Sequence, residues 1–514
     1  MAGRGADGSI DLVPRDSAPA RRVGVIDIGS NSIRLVVFEG HPRAPYPVFN
    51  EKVLCGLGRS LDATGRLDPE GVTLALQNLP RFMMLSEELA VSSIQAFATA
   101  AVRDAEDGAD FVRDVERRCG LRVAVLSGDD EARLSAYGVI AGNPGAEGLM
   151  GDLGGGSLEL VSLAGGGTIE HATLPLGPFR LNAAAARGKN PERVIRRQLG
   201  GLDWLERAGG GDFHAVGGAW RALARIHMTQ TGYPLGIIDR YAVSQGVMEN
   251  IVNLVAGLSR ESLERLPGLP GRRLDALPAA ALVMRDLIEI TRPQRVVFSA
   301  FGLREGVLFD SLSDADRKAD PLLAAARVYA DHFSRFKGME EALVDWTAPL
   351  FPEESEPELR LRRTACILSD IGWTEHPSYR ATHSFERALR ISIAGLDHRG
   401  RAFLATVMAG RYAGAASRSQ RQAASTLGLE VVEIERAVRL GLALRLAIGL
   451  SGGRAEALAD TKLEVAKTDL VLSVGRAAAP LIGEMVERRL KELASAGDRG
   501  WRVEARRRAR KKAS

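Results

Sequence analysis

Two segments of the chain have the same pattern, a polar turn between two apolar runs. This repeat restricts the possible fold more than any other feature of the sequence. Residues 23–38 read VGVIDIGSNSIRLVVF, and residues 151–161 read GDLGGGSLELV. Apolar residues on both sides of a Gly/Ser turn are typical of a β-hairpin. Asp27, Gly29, Ser32, Leu35 and Val36 of the first copy recur as Asp152, Gly154, Ser157, Leu160 and Val161 of the second. The repeat predicts a duplicated fold that binds a nucleotide or a phosphate.

The sequence predicts two α/β lobes followed by a helical domain. Strand and helix patterns alternate over residues 21–312, whereas helical periodicity prevails beyond residue 313. We expect a disordered N-terminus at 1–20, lobe I at 21–143, lobe II at 144–312, a helical domain at 313–500 and a basic tail at 501–514. The helical domain is expected to end in strands near 462–472 and a helix over 478–494.

Charge and cysteine content restrict the cellular setting. The formal net charge of +4 conceals a tail, 501–514, with seven Lys/Arg and one Glu, so the rest of the chain is close to −2. Such a tail is compatible with polyanion binding but is more often a solvated run. The three cysteines Cys55, Cys119 and Cys366 are widely spaced, which favours buried thiols in a reducing compartment. No apolar run reaches the roughly 20 residues of a membrane span, and residues 1–20 lack a signal-peptide core, so we expect a cytoplasmic protein without a membrane partner.

The two turns supply the residue types that bind phosphate. Small residues let backbone amides approach phosphate oxygens, and Ser and Asn add donors. A neighbouring carboxylate suits Mg²⁺, which takes one or two carboxylates together with substrate oxygens and water. A single such turn is more often structural, but two in register plus a third glycine turn predict a site. The phosphate-binding candidates are Ser30, Asn31, Ser32, Gly154, Gly155, Gly156, Ser157, Gly217 and Gly218, and the metal candidates are Asp27, Asp152 and Glu159.

Two further charged residues have both a structural and a functional interpretation. Arg103 follows a predicted buried strand, where a guanidinium can bind phosphate through two hydrogen bonds or form a surface ion pair with Asp104 or Glu106. Glu131 lies in the first turn of a predicted helix, where it can orient a water for attack on phosphorus or simply favour the helix dipole. Taken alone, the structural interpretation is preferred for each.

In combination these segments resemble the exopolyphosphatase/guanosine pentaphosphate phosphohydrolase (Ppx/GppA) family. The resemblance covers residues 21–312 in order. It rests on VIDIGSNS at 25–32, TAAVR at 99–103, SGDDEAR at 127–133, residues 151–159, and LREGVL at 303–308. It implies the actin-like ATPase fold with two ribonuclease-H-like lobes, and magnesium-dependent hydrolysis of terminal phosphate from inorganic polyphosphate.

Residue by residue, the resemblance assigns the chemistry as follows. The catalytic Glu falls on Glu131 and the phosphate-binding Arg on Arg103, while the metal-associated carboxylates fall on Asp27, Asp152 and Glu159. In the implied reaction, Mg²⁺ and backbone amides stabilise charge on the terminal phosphoryl group while Glu131 positions water. The resemblance also implies a homodimer formed through the C-terminal domain.

The helical domain resembles the HD-like (histidine/aspartate) domain of long family members, but it departs at the metal position. Ser369 precedes Asp370 where a metal-binding His is expected. We therefore expect His376 and His383 to be structural or phosphate-contacting residues rather than metal ligands. The arginines expected to hold a polyanion are Arg362, Arg363, Arg380 and Arg387.

Three other functions stay open at this stage. Guanosine pentaphosphate, converted to tetraphosphate, is the close alternative substrate. A non-catalytic polyphosphate or alarmone sensor and an actin-like kinase or filament protein are less favoured, because Arg103 and Glu131 match the phosphatase pattern. No specific nucleic-acid partner is expected.

Overall fold

The computed structural model of the 514-residue chain describes residues 22–266 and 271–505, without the side chains of 271–273. These residues divide into two compact units, of which the first ends at Ser127 and the second begins at Gly128. The expected disorder of 1–20 and the residues 506–514 of the expected tail lie outside the described residues.

Unit 1 is built on a mixed sheet, which within residues 22–127 has the strand order β3-β2-β1-β4-β5. β1 to β3 form an antiparallel meander, and β4 runs parallel to both β1 and β5. The strands are β1 (Arg22–Ile28), β2 (Ile33–His41), β3 (Ala44–Val53), β4 (Val91–Ala98) and β5 (Ala124–Val125), and the helices are α1 (Leu61–Thr64), α2 (Pro69–Glu88), α3 (Ala100–Asp104) and α4 (Gly108–Cys119).

Local sequence explains the main elements of unit 1. The inner strands β1 and β2 are apolar on both faces and bury Ile26, Ile28 and Leu35 together with Phe82 of α2. α2 begins at Pro69, because the Asp68 carboxylate accepts a hydrogen bond from the Gly71 amide at 3.0 Å and Pro69 suits the first helical position.

The first part of unit 2 repeats this topology. Its sheet, over residues 148–298, has the order β8-β7-β6-β9-β11, with β10 added antiparallel at the edge. The strands are β6 (Gly148–Leu153), β7 (Leu158–Ala164), β8 (Gly167–Leu174), β9 (Asp212–Val216), β10 (Tyr241–Ser244) and β11 (Arg295–Phe298). The helices are α5 (Gly128–Gly142), α6 (Pro178–Ala186), α7 (Pro191–Leu199), α8 (Gly218–Gln230), α9 (Gln245–Ala256), α10 (Arg260–Glu264), α11 (Leu277–Thr291), α12 (Leu303–Asp310) and α13 (Asp314–Lys318), with a 3₁₀ turn at Gly271–Ala276.

The matching order of the two sheets confirms the expected duplication of ribonuclease-H-like lobes. β6 corresponds to β1, and each antiparallel meander is followed by a strand parallel to its first strand. Helix α5, which the sequence assigned to lobe I, packs instead on α12 and β8 in unit 2. The boundary between the compact units therefore lies at 127/128, while the predicted lobe boundary lies at 143/144.

The C-terminal part of unit 2 is largely helical. Its helices are α14 (Pro321–Phe333), α15 (Glu340–Thr347), α16 (Glu356–Ile367), α17 (Arg380–Arg390), α18 (His398–Ala413), α19 (Arg418–Thr426), α20 (Val431–Ser451), α21 (Ala455–Ala459) and α22 (Glu484–Ser495), with 3₁₀ turns at Ala348–Leu350 and Ala479–Leu481. The strands are β12 (Thr461–Val465), β13 (Asp469–Val474) and β14 (Gly500–Ala505).

The small sheet in this part contains the strands expected near 462–472 and one strand more. Its order is β12-β13-β14, and the sequence located the first two strands. The expected basic tail begins inside β14, because Trp501 and Val503 pair with Leu470 and Leu472 of the parallel neighbour β13. Within residues 22–266 and 271–505, no helix is both long and apolar enough to cross a membrane.

The cysteines behave as expected of thiols in packed regions. Cys55 and Cys366 are buried and Cys119 is half-buried, and all three are free. Burial raises the pKa of the Cys366 thiol to about 12, so this residue remains a neutral, small apolar group.

Candidate functional site: two matched turns and a buried glutamate

The turn of the first hairpin is held by hydrogen bonds to its carbonyl groups. The Gly29 amide donates to the Ser32 carbonyl at 3.0 Å, which closes the turn between β1 and β2. The carbonyls of Ser30 and Asn31 accept from the amides of Gly58 and Gly56 at 2.8 and 3.1 Å. The neighbouring loop therefore fixes the backbone that carries the predicted phosphate-binding residues of unit 1.

The turn of the second hairpin has the same closing bond. The Gly154 amide donates to the Ser157 carbonyl, also at 3.0 Å, and the Gly155 carbonyl accepts from the Phe179 amide at 3.0 Å. Gly177, immediately before α6, packs against the backbone of Gly155 and Gly156 so closely that a Cβ has no room there. Both turns are thus fixed by backbone contacts, as anion-binding turns must be to act without reorganisation.

The two hairpins differ in the residue opposite the shared aspartate. Arg34 is the direct cross-strand partner of Asp27 in unit 1. The corresponding partner of Asp152 in unit 2 is Glu159, which is 3% exposed. Directly opposite residues of an antiparallel pair project on the same side of the sheet. Unit 2 therefore places two carboxylates side by side, where unit 1 places a carboxylate beside a guanidinium.

Three glycine turns meet around Asp152. Gly217 has a φ of +110°, which favours glycine, and packs against the backbone of Leu153. Gly302 lies against Val216, and a Cβ built on it would be 3.8 Å from Asp152 Oδ2. The Arg221 guanidinium donates to the Gly217 carbonyl at 3.1 Å and to the Ala300 carbonyl at 3.4 Å. It therefore links the turn at Gly217 to the turn at Gly302.

Glu131 lies on the buried side of α5. It is 6% exposed, although it belongs to the first turn of the helix. One turn later Ser135 donates to Asp152 Oδ2 at 2.8 Å. Residues four apart share a helix face, so Glu131 and the Asp152 contact lie on the same side of α5. The exposed acid of this turn is Asp129, which is 3.2 Å from His171 Nε2.

Arg103 makes the ion pair that the structural interpretation predicted. Its Nε donates to the Asp104 carboxylate at 3.1 Å, and its Nη1 donates to the Leu126 carbonyl at 3.1 Å. The side chain keeps 24% of its area exposed. Its role in binding phosphate stays a prediction.

Sequence reasoning overlooked two residues of this region. Ser135 was detectable, because it lies four residues after Glu131 on a helix whose face was already of interest. Arg221 was not detectable, because its acceptors, the carbonyls of Gly217 and Ala300, are far apart in sequence. Gly302 directly precedes the LREGVL motif at 303–308, but that motif gives no sign of its proximity to Asp152.

The arginines expected to hold a polyanion are mostly engaged in structural contacts. Arg362 is a correction: it is 3% exposed and donates to Glu354, to the Val344 carbonyl and to Thr347. Arg387 pairs with Glu375 and donates to the Ile371 carbonyl. Arg380 donates to the carbonyls of Glu375 and Trp373, whereas Arg363 lies 3.9 Å from Glu341 and stays a candidate.

The polar residues of the degenerate HD motif pair with neighbouring protein groups. Asp370 is buried and accepts three hydrogen bonds from Arg335, one from its amide and two from its guanidinium. His383 Nδ1 lies 3.0 Å from Glu375, and His376 Nδ1 accepts from the Ser378 amide at 3.3 Å. In the part of the chain that the structure describes, no group of three or more His, Cys, Asp or Glu side chains is arranged to hold a metal ion.

Comparison with known proteins identifies the family. The model of the Ppx/GppA phosphatase family matches residues 36–315, more than half of the chain. The chain belongs to the Ppx/GppA phosphatase family. A second model, of the exopolyphosphatase C-terminal domain, matches residues 322–503.

Named relatives support this assignment. Exopolyphosphatase 1 of Mycobacterium tuberculosis is 28% identical over 318 residues, which cover 58% of this chain and 90% of that protein. Retrograde regulation protein 2 of Saccharomyces cerevisiae is 27% identical over 437 residues, 76% of this chain and 72% of that protein. The crystal structure of an exopolyphosphatase from Cytophaga hutchinsonii superimposes with a TM-score of 0.52 at 22% identity, over 57% of this chain and 99% of that chain. As a Ppx/GppA member the chain is a phosphatase-type hydrolase with duplicated actin-like lobes.

Proposed function

We propose that this Ppx/GppA phosphatase is an exopolyphosphatase that hydrolyses terminal phosphate from inorganic polyphosphate, processively and with Mg²⁺. The observation that carries the proposal is the pair of hairpin turns closed by the same 3.0 Å hydrogen bond, each next to an aspartate. Polyphosphate carries a negative charge on every phosphate. A protein with two matched anion-binding turns is suited to bind such a polyanion. The mycobacterial relative named exopolyphosphatase supports the same substrate.

The residues of unit 2 fit a magnesium ion. Mg²⁺ usually takes one or two carboxylates and completes its shell with water and substrate oxygens, so it needs no cage of three protein side chains. Asp152 and its cross-strand partner Glu159 supply that carboxylate pair, and the Ser135 hydroxyl orients Asp152. In unit 1 the residue opposite Asp27 is Arg34, which makes this side of the predicted set the weaker candidate. Bound there, Mg²⁺ supplies positive charge to the phosphate oxygens.

The protein groups then perform binding, orientation and proton transfer. The amides and the hydroxyl of the turn at residues 154–157 bind the non-bridging oxygens of the terminal phosphate. The turn at residues 30–32 and Arg103 stay predicted phosphate-binding residues of unit 1. The Glu131 carboxylate orients a water and accepts its proton as the new O–P bond forms and the P–O bond of the anhydride breaks. The shortened polyphosphate leaves with the electron pair of that bond. Positioning and charge stabilisation provide most of the rate enhancement in such reactions.

The test is phosphate release from polyphosphate and from guanosine pentaphosphate by the full chain with and without Mg²⁺. We expect Glu131→Gln to lower the rate by about 10²- to 10⁴-fold, the usual contribution of a general base. Asp129→Asn is the matched control, because Asp129 is an exposed acid in the same helical turn. Processive action leaves long chains and free phosphate without intermediate lengths. A Glu131→Gln variant with full activity contradicts the assignment of Glu131 as the general base. Faster phosphate release from guanosine pentaphosphate than from polyphosphate would make guanosine pentaphosphate the proposed substrate.

A regulatory function is the second candidate, and one observation favours it. The relative that covers 76% of this chain is named a retrograde regulation protein. Under this alternative the purified chain binds polyphosphate or guanosine pentaphosphate but releases no phosphate with Mg²⁺ present. Homodimerisation stays a prediction that light scattering tests.

A further inference from the structure

The C-terminal part of unit 2 contains a cavity that the proposed hydrolysis does not use. Its volume is about 420 Å³. It lies between the 3₁₀ turn Ala348–Leu350, helix α20, the end of α22 and the hairpin of β12 and β13. Small-molecule sites commonly measure about 300–1,000 Å³.

Apolar and polar groups share the wall of this cavity in nearly equal parts. Leu470 of β13 and Leu493 of α22 are buried, and Leu350 is half-buried. Val465, the last residue of β12, is 40% exposed and also lines the cavity. The cavity therefore offers a ligand an apolar surface that is accessible from solvent at Val465.

The charged side chains of the lining are two arginines, and no Asp or Glu accompanies them there. Arg499 is held by the structure, since its Nη1 donates to the carbonyls of Ala466 and Lys467 at 2.7 and 2.9 Å. Arg439 differs. Its Nε is buried without a hydrogen-bond partner, and its Nη2 makes only a 3.5 Å contact with the Ala496 carbonyl.

Arg439 is half-buried, and its buried Nε donor without an acceptor needs an explanation. Burying a donor without an acceptor costs about 1–3 kcal/mol, and more for a charged group, so native proteins rarely leave one unpaired. A carboxylate or phosphate oxygen is the acceptor that the planar guanidinium fork binds best. Arg439 beside the apolar side chains of this cavity thus favours a ligand with an anionic head and an apolar body.

We propose that this cavity binds a small organic anion whose single carboxylate or phosphate head pairs with Arg439 and whose apolar body packs on Leu350, Leu470 and Leu493. The C-terminal segment 506–514 of the chain is an unsuitable occupant, because six of its residues are Arg or Lys and two arginines already line the cavity. Inorganic polyphosphate is unsuitable as well, because it has no apolar part. The inference is independent of the proposed hydrolysis.

The test is isothermal titration of the full chain with octanoate, hexyl phosphate, 1-octanol and tripolyphosphate. We expect octanoate or hexyl phosphate to bind, with the stronger of the two identifying the head group, and 1-octanol to bind at least tenfold more weakly. Arg439→Met, which keeps the apolar stem, lowers the affinity for the anion at least tenfold. Arg488→Met, at an exposed arginine on α22, leaves it unchanged.

A second variant protects the test against misfolding at position 439. Val465→Glu places a negative charge at the exposed wall and lowers the affinity for octanoate, whereas Val431→Glu, at a 76% exposed valine of the same domain, does not. The proposal is overturned if neither amphipathic anion binds, if Arg439→Met binds them like the wild type, or if tripolyphosphate binding depends on Arg439. Competition by a synthetic peptide of residues 506–514 also overturns it, because it assigns the cavity to the chain's own terminus.

Discussion

Acid should loosen the contact between lobe II and the helical domain through His398, the first residue of α18. Its Nδ1 accepts from the Tyr233 hydroxyl at 2.9 Å, and its Nε2 donates to the Asp239 carbonyl at 3.2 Å. The side chain is 5% exposed. Burial, helped by the nearby Arg401 charge, lowers the pKa of His398 from 6.5 to about 4. A protonated ring has no lone pair for the tyrosine hydroxyl.

The direction and size of the effect follow from proton linkage. Below pH 6.5 the unfolded chain binds a proton at position 398, while the folded chain does so only near pH 4. The contribution of neutral His398 to the free energy of unfolding is therefore fully present above pH 6.5 and is lost as the pH decreases from 6.5 to about 4. At about 1.4 kcal/mol per pH unit, the loss is about 2 kcal/mol at pH 5 and about 3 kcal/mol at pH 4.

The measurement is the free energy of unfolding by urea from pH 7.5 to pH 4, for the wild type and for His398→Gln. Glutamine keeps a donor toward the Asp239 carbonyl but does not titrate. We expect the variant to be less stable than the wild type at pH 7.5, with a difference that shrinks by about 3 kcal/mol on acidification. His332→Gln, at an exposed histidine of α14, is the control. Parallel pH curves for the wild type and His398→Gln would refute the linkage.

Three further perturbations address the site and its supports. Gly138→Ala forces a Cβ into the Gly302 backbone and should lower the free energy of unfolding by about 3 kcal/mol, whereas Gly145→Ala, with open space around its Cα, should change it by less than about 0.5 kcal/mol. Ser135→Ala removes the hydroxyl that donates to Asp152 and should raise the Mg²⁺ concentration for half-maximal phosphate release. An unchanged Mg²⁺ concentration at half-maximal release would contradict the role of Asp152 as a metal ligand. Arg362→Met removes the buried partner of Glu354, which keeps its ion pair with Arg436, and removes a donor to the Val344 carbonyl. The loss in urea unfolding should be about 1–3 kcal/mol, against less than about 1 kcal/mol for Arg390→Met at an exposed pair; equal losses would return Arg362 to the candidates for polyanion binding.

Short-range patterns predicted the parts of the structure that short-range interactions determine. The turn at Gly154 could be read from the sequence because its closing bond joins residues three positions apart. The start of α2 was predictable for the same reason, since Asp68 caps its own helix.

Features that depend on distant partners were not readable in this way. Arg362 resembles any surface arginine until its partners Glu354 and Val344 bury it. Strand β14 was assigned to the basic tail because basic residues follow it directly. Its pairing partner β13 lies about thirty residues earlier, so no local pattern indicated a strand. The assignment of α5 to unit 2 depends on its packing against α12, which follows in the chain only after the six strands of one intervening sheet.

The crossing of α5 and α12 has a mechanical consequence. At this crossing Gly138 lies on the Gly302 backbone, and Gly306 lies on the Leu134 carbonyl, so no side chain separates the two main chains. A rotamer change therefore cannot absorb a displacement of the loop before α12. That loop is anchored by the Asp239 carboxylate, which accepts from the Ala300 amide at 2.9 Å beside the His398 contact. A displacement of the helical domain that moves this loop would therefore move α5 as a rigid body. Glu131 would change position together with its helix, without a rearrangement of side chains.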